Sequence, residues 1–423
     1  MSKEARTYKI EENVERVILV GADLGQSGMD IEACLDELDD LIKTAGAVSV
    51  GKISQKRDRI HAGQYLGKGK IEEIGIMADA LDATGIVFDD ELSPSQIRNL
   101  ERMLQIKIMD RTMVILDIFA ARALSKEGKI QVELAQLKYR LSRLSGIGAS
   151  MSRLGGGIGT RGPGEKKLET DRRYIKNRIS ELKKELEEVR VHRELLRNQR
   201  GKIGYPVVSL VGYTNSGKST ILNTLTQAGV LEEDKLFATL DTTTRHVALP
   251  GGSSVYLTDT VGFIQKLSHH LVQAFKATLE ELKYADILLH VVDASNANRS
   301  EHIEVVYKTL KELGCEDKPV ITVFNKMDKE IELPLPVDNI CAETVKICAK
   351  DKVDLNNMLE IIEGVMQTFR HSIRVLIPYT QGSLLSMVHE RCEIITEVYK
   401  DEGVEVELFA DEELQNRLKK FVV

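Results

Sequence analysis

The 423-residue chain carries 58 Lys and Arg against 65 Asp and Glu, a formal charge of −7, with 42% hydrophobic and 29% charged residues, 31 Gly and 8 Pro. At roughly 150 residues per domain, that length predicts about three domains with real cores, and the balance excludes a collagen-like or mostly disordered chain. Cys34, Cys315, Cys341, Cys348 and Cys392 stand apart with no CxxC pair, which argues for free thiols in a reducing compartment and against a zinc cluster or disulfide framework.

In chain order, the opening MSKEARTYKIEENVERVILV is charged throughout and lacks a signal-peptide core. No later stretch reaches about eighteen uninterrupted apolar residues, so the expectation is a soluble, cytoplasmic protein with at most peripheral membrane association. Residues 16–20 (RVILV) and 85–88 (GIVF) read as short buried strands, with helical patterns near 30–45, 70–82 and 94–104. Residues 1–129 are therefore expected to form an N-terminal α/β domain. Its YLGKGK turn, with Gly67 and Gly69 beside Lys68 and Lys70, is a weak phosphate signal that reads better as a simple loop than as a second nucleotide site.

Charge is distributed unevenly along the chain. Lys138–Lys202 holds 18 Lys and Arg against 8 Asp and Glu, a net of +10, which leaves −17 for the rest. Ile130, Leu134, Leu137, Leu141 and Leu144 mark one helical stripe. Ile175, Ile179, Leu182, Leu186, Val189 and Leu196 mark a second, with Arg193 in a slot due an apolar residue. Two facing stripes predict an antiparallel helical hairpin over 130–203. Its tip is MSRLGGGIGTRGPGEKK, where six of the ten residues from Gly155 to Gly164 are glycine. Arg153, Arg161, Lys166, Lys167, Arg172 and Arg173 bracket those glycines, and dense cations on such a tip suit RNA phosphates.

From Gly204 the pattern becomes strand (VVSLV, 207–211), glycine loop and helix, predicting a GTP-binding domain over 204–370. The loop is Gly212, Tyr213, Thr214, Asn215, Ser216, Gly217, Lys218, Ser219 and Thr220, a GxxxxGKS phosphate cradle. Its amides wrap phosphates at a helix N-terminus, Lys218 neutralises β- and γ-oxygens, and the Ser219 hydroxyl can ligate Mg²⁺. A later strand delivers Asp259, Thr260, Val261 and Gly262; Asp259 suits the Mg²⁺ shell through water, and the Gly262 N–H suits the γ-phosphate. Between them, Thr239, Thr242, Thr243 and Thr244 all offer a hydroxyl to the metal, and chemistry alone does not choose among them. Asn325, Lys326, Met327 and Asp328 follow the strand VITVF, and the Asp328 carboxylate can accept from N1–H and the 2-amino group of guanine, donors that adenine lacks. Phe263 stands where a Ras-like enzyme has a water-orienting glutamine, which predicts slow intrinsic hydrolysis. The final residues, 371–423, read as a strand, a helix, two strands flanking Asp401–Gly403 and a terminal helix, a small α+β module.

The segments YLGKGK (65–70), DRTMVILDIF (110–119), QVELAQLKYR (131–140), GPGEKKLETDRR, GYTNSGKST, FATLD and DTVGFI together resemble the HflX family of ribosome-associated GTPases over nearly the whole chain. The stretch 237–245 is the first switch candidate by its place between the phosphate-loop helix and the metal-binding strand, and the resemblance implies that Thr239 in its FATLD (Phe237, Ala238, Thr239, Leu240, Asp241) is the Mg²⁺ threonine, beside Lys218 and Gly262 at the reacting phosphates. It also implies that Cys348, Ala349 and Lys350 cap guanine, with Cys348 where the family usually has serine. The implied partner is the large ribosomal subunit, with no role for DNA, and a monomer that binds GTP or GDP with Mg²⁺. On this reading the chain is a GTP hydrolase, intrinsically slow and stimulated by ribosomes, that controls their association, splitting or recycling. The alternative is a GTP-regulated binding module for RNA, or a membrane-protease regulator, without significant turnover.

Overall fold

The computed structural model describes residues 14–25, 30–151, 163–201, 205–226, 236–237, 240, 242–266, 271, 279–369, 372–409 and 417–422. The chain divides into two compact units, Met1–Ala121 with Ala135–Arg178 and Lys266–Leu271, and Arg122–Leu134 with Ile179–Gln265 and Val272–Val423.

The first unit alternates strand and helix: β1 (Arg16–Asp23), α1 (Ile31–Thr44), β2 (Val48–Lys56), α2 (Lys68–Ala80), β3 (Gly85–Phe88), α3 (Pro94–Leu104), β4 (Lys107–Asp110) and α4 (Arg111–Arg122). All four strands are parallel in the order β2-β1-β3-β4. The central strands are the continuous apolar runs that helices on a parallel sheet require. The edge strands β2 and β4 carry polar residues, and the sequence pattern passed over both. Helix α3 starts where SPSQ dictates. The Ser93 hydroxyl accepts from the Gln96 N–H, the Gln96 side chain accepts from the Ser93 N–H, and Pro94 occupies the first turn. Ile18, Val20, Ile71, Ile74, Ile86 and Phe88 fill the core, and Tyr65 meets Phe88 edge-on at 5.1 Å.

Two long helices follow, α5 (Lys126–Met151) and α6 (Pro163–Gly201). The second begins inside the stretch expected to be loop. Pro163 fits the first turn of a helix because its missing N–H would have no partner there. Lys166 and Lys167 therefore lie on α6, whereas Arg153 and Arg161 lie outside the described residues. Arg172 is half-buried and Arg173 exposed. Arg193 breaks the apolar stripe because it forms ion pairs with Glu127 and, at 2.9 Å, with Glu281.

In the second unit β5 (Val207–Gly212) leads to α7 (Lys218–Thr226), β6 (Thr243–Ala248) and β7 (Ser254–Asp259). Then come β8 (Ile287–Asp293), α8 (Arg299–Glu312), β9 (Val320–Asn325), β10 (Glu343–Lys346) and α9 (Lys352–Phe369). The sheet order is β10-β9-β8-β5-β7-β6, with β6 antiparallel to β7 and the rest parallel. This is the mostly parallel sheet of a P-loop α/β domain. Its core joins Val208 and Leu210 of β5, Ile221 and Leu222 of α7, and Leu289 and Val291 of β8. A three-stranded antiparallel sheet ends the chain: β11 (Ser372–Ile377), α10 (Gly382–Arg391), β12 (Glu393–Lys400) and β13 (Gly403–Phe409), in the order β11-β13-β12. Of the expected terminal helix the described residues show helical 417–418, which run into a short 3₁₀ turn at Lys419–Phe421; the stretch before them lies outside the described residues. Among the described residues no helix is long and apolar enough to cross a membrane.

Candidate guanine-nucleotide site

The loops that leave the carboxyl ends of β5, β7, β8 and β9 gather at one edge of the parallel sheet, where such folds bind ligands. The loop after β5 is shaped by glycines that have no room for a side chain. A Cβ on Gly212 would lie 2.3 Å from the Val291 carbonyl oxygen, and one on Gly217, at φ +96°, 2.2 Å from Asn325 Nδ2. Lys218, the first residue of α7, turns back across the loop, and its Nζ donates to the carbonyls of Gly212 (3.1 Å) and Tyr213 (2.8 Å). Burial pushes its ammonium down to about 8, with Asp259 opposing that shift. A cation so placed regains its lost solvation from an anionic ligand.

Ser219, one residue on, donates its hydroxyl to Asp259 Oδ2 at 2.7 Å. A hydroxyl and a carboxylate held together beside a phosphate loop are hard oxygen donors that fit Mg²⁺. Thr260 fixes the following turn by donating to the Leu210 carbonyl at 2.6 Å. Phe263 N–H donates to the Gly212 carbonyl (3.0 Å) and Thr214 N–H to the Phe263 carbonyl (2.8 Å), so the segment after Gly262 is bridged to the phosphate loop. In the first switch segment Phe237 and Leu240 are buried, whereas Ala238, Thr239 and Asp241 lie outside the described residues. Thr243 and Thr244 belong to β6, and the Thr244 hydroxyl pairs with that of Thr258 at 3.0 Å.

The loop after β9 closes the other end. Asn325 donates through Nδ2 to the Ser216 carbonyl (2.8 Å) and accepts from the Ala349 N–H (3.0 Å), so one buried amide ties the phosphate loop to the CAK loop. Lys326 Nζ reaches the Asn215 carbonyl (2.8 Å) and the Asp293 carboxylate (2.7 Å). The Met327 N–H donates to the Ile347 carbonyl, and the Cys348 N–H to Asp354 Oδ2 at 2.7 Å. Cys348 joins this frame through its backbone. Asn215, Thr220, Asp328, Ala349 and Lys350 line one cavity of about 390 Å³. The structure thus brings together the sites read 107 residues apart in the sequence, at Lys218 and Asn325. It adds Asp293, the partner of Lys326, and His302, which stacks on Tyr213 with ring centroids 3.7 Å apart. The sequence signal for Asp293 is its place at the end of an apolar strand; His302 sits within an ordinary amphipathic helix and has none.

This fold and this loop arrangement define a P-loop nucleotide-binding domain of the GTPase class. Three family models match consecutive stretches: "GTP-binding GTPase N-terminal" over residues 32–120, "GTP-binding GTPase Middle Region" over 122–200 and "50S ribosome-binding GTPase" over 207–326. The chain is 54% identical over 406 residues to the GTPase HflX of Lacrimispora saccharolytica, covering 96% of each chain. It is 49% identical over 409 residues to that of Caldanaerobacter subterraneus subsp. tengcongensis, covering 97% of this chain and 94% of the other. A crystal structure of a GTP-binding protein from Sulfolobus solfataricus in complex with GDP aligns with a TM-score of 0.43 at 24% identity, over 84% of this chain and 99% of that one. The chain belongs to the HflX family of GTPases.

Proposed function

We propose that this GTPase binds the large ribosomal subunit in the cytoplasm and uses GTP binding and hydrolysis to control ribosome association, splitting or recycling, under stress in particular. The observation that carries this reading is the +10 segment Lys138–Lys202, which runs directly into the nucleotide domain of an otherwise acidic chain. Counterion release from rRNA phosphates favours that segment, with Arg153, Arg161, Lys166, Lys167, Arg172 and Arg173 as its contacts. Lys218 and the loop amides hold the β- and γ-phosphates, the Gly262 N–H senses the γ-phosphate, and Asp328 selects guanine. Ser219, Thr239 and, through water, Asp259 would hold Mg²⁺, which supplies charge neutralisation between the β- and γ-oxygens. Phe263 leaves intrinsic hydrolysis slow, and the ribosome completes the site.

The test is GTP turnover by the purified chain with and without large subunits. A rate well above the intrinsic one is expected on adding subunits, and an unchanged rate overturns the reading in favour of a binding module. Changing Arg153, Arg161, Lys166 and Lys167 to glutamine should weaken subunit association and flatten its salt dependence by about one unit of logarithmic slope for each phosphate no longer neutralised, with GTP affinity intact.

A further inference from the structure

Thr214 occupies the phosphate loop's third position, and its hydroxyl is an anomaly. The residue is 7% exposed, and its buried Oγ1 has no hydrogen-bond partner among the described residues. Leaving a buried hydroxyl unpaired costs about 1–3 kcal/mol, so the site is incomplete without a polar ligand there. Its surroundings say which ligand. A Cβ on Gly262 would come within 2.9 Å of Thr214 Cα and Cγ2 and 3.2 Å of Lys218 Nζ. The threonine methyl, the glycine of DTVG and the buried ammonium are therefore packed together, with the threonine hydroxyl on the same Cβ as that methyl. Ser216 Oγ is also buried and without a partner among the described residues, but it lies by Gly212, 3.1 Å from where a Cβ there would be. Phe263, 3% exposed and bridged through its backbone to the loop, brings no polar atom. Arg245 is exposed and donates to the Thr244 carbonyl.

We infer that the Thr214 hydroxyl hydrogen-bonds the water that attacks GTP and holds it in the slow intrinsic reaction, which the ribosome then accelerates; this rests on the GTPase reading above and assigns a group to it. In the step, the water oxygen bonds to the γ-phosphorus while the bond from that phosphorus to the β–γ bridging oxygen breaks. GDP leaves with the electron pair, and the water's proton departs on inorganic phosphate. Threonine is unchanged at the end: its oxygen accepts from the water and its own hydrogen points to a γ-phosphate oxygen. Nothing in this needs a general base, because phosphoryl transfer depends mostly on positioning.

The experiment is single-turnover hydrolysis by full-length chain with Mg²⁺, alongside affinity for a fluorescent GTP analogue. Thr214→Val, close in shape, should slow the rate constant about 10- to 100-fold while affinity stays within about 3-fold, and Thr214→Ser should restore most of the rate. A wild-type rate in Thr214→Val overturns the inference. So does a Thr214→Ser variant as slow as Thr214→Val, which would make the methyl contact with Gly262 the active feature. Affinity lost in step with rate also overturns it, by making the hydroxyl a ground-state binding group. If the unaltered chain binds no guanine nucleotide, the GTPase reading itself falls, and that is visible before any rate is measured.

Discussion

A glycine-lysine turn starts a helix in each of the two units, and the two turns treat their charges differently. In the first unit YLGKGK starts a helix: α2 begins at Lys68, the Gly67 N–H donates to Gln55 Oε1 at 3.0 Å, and Lys70 pairs with Glu73 at 2.9 Å. Charges at the ends of β3 and β4 are likewise satisfied within the unit. Arg111 pairs with Asp89 at 2.6 Å and with Glu37, while Asp110 accepts from the N–H groups of Leu92 and Met113 and from Arg143. In the second unit the Lys218 ammonium meets two carbonyl dipoles, and its charge is left for a ligand. Sheet topology offers a crevice in both cases; what makes one an anion site is a buried cation that the fold itself does not neutralise.

The largest effect that tests this contrast is on nucleotide occupancy. Lys218→Met should lower GTP affinity by about 10³-fold, roughly 4 kcal/mol, and remove bound nucleotide at micromolar concentrations, while Lys70→Met leaves both unchanged. Equilibrium dialysis decides: nucleotide retained by Lys218→Met would place a second site elsewhere in the chain and end the comparison. Next in size is base selection. Asp328→Asn should weaken GTP by about 10²-fold and favour xanthosine triphosphate, because the amide presents a donor where guanine also has one. Competition titrations that still rank GTP first would remove Asp328 from the base pocket.

Much of this was legible in the sequence where one residue type has one physical task. GxxxxGKS between an apolar strand and a periodic helix, and NKMD after VITVF, predict the loops that meet at the cavity. The strands β2 and β4 escaped because edge strands need no continuous apolar run: Val48–Lys56 and Lys107–Asp110 are held by pairing to β1 and β3. The start of α6 escaped because glycine density outweighed Pro163, although proline is favoured in a first helical turn. Arg193 looked like a fault in a stripe until its two carboxylates were placed, and those come from residues 66 and 88 positions away. Long-range partners leave no mark in local periodicity.

The smallest effects give the sharpest version of the contrast, since they involve one methyl group in each turn. Gly217 has φ +96°, and a Cβ there would sit 2.2 Å from the Asn325 amide that holds the Ser216 carbonyl and the Ala349 N–H. Gly217→Ala must therefore move the link between phosphate loop and guanine loop, at a cost of about 1–3 kcal/mol in stability and with weaker GTP binding. Gly69 lies in the first turn of α2, and a Cβ there would meet nothing within 4 Å among the described residues, so Gly69→Ala should be neutral or stabilising by about 0.5–1 kcal/mol through helix propensity. Thermal melts and GTP titrations of the two variants read both signs. Weakened GTP binding in Gly69→Ala would mean that the lysines of YLGKGK serve nucleotide after all, because a methyl group in open space at a helix start has no other route to the phosphate loop.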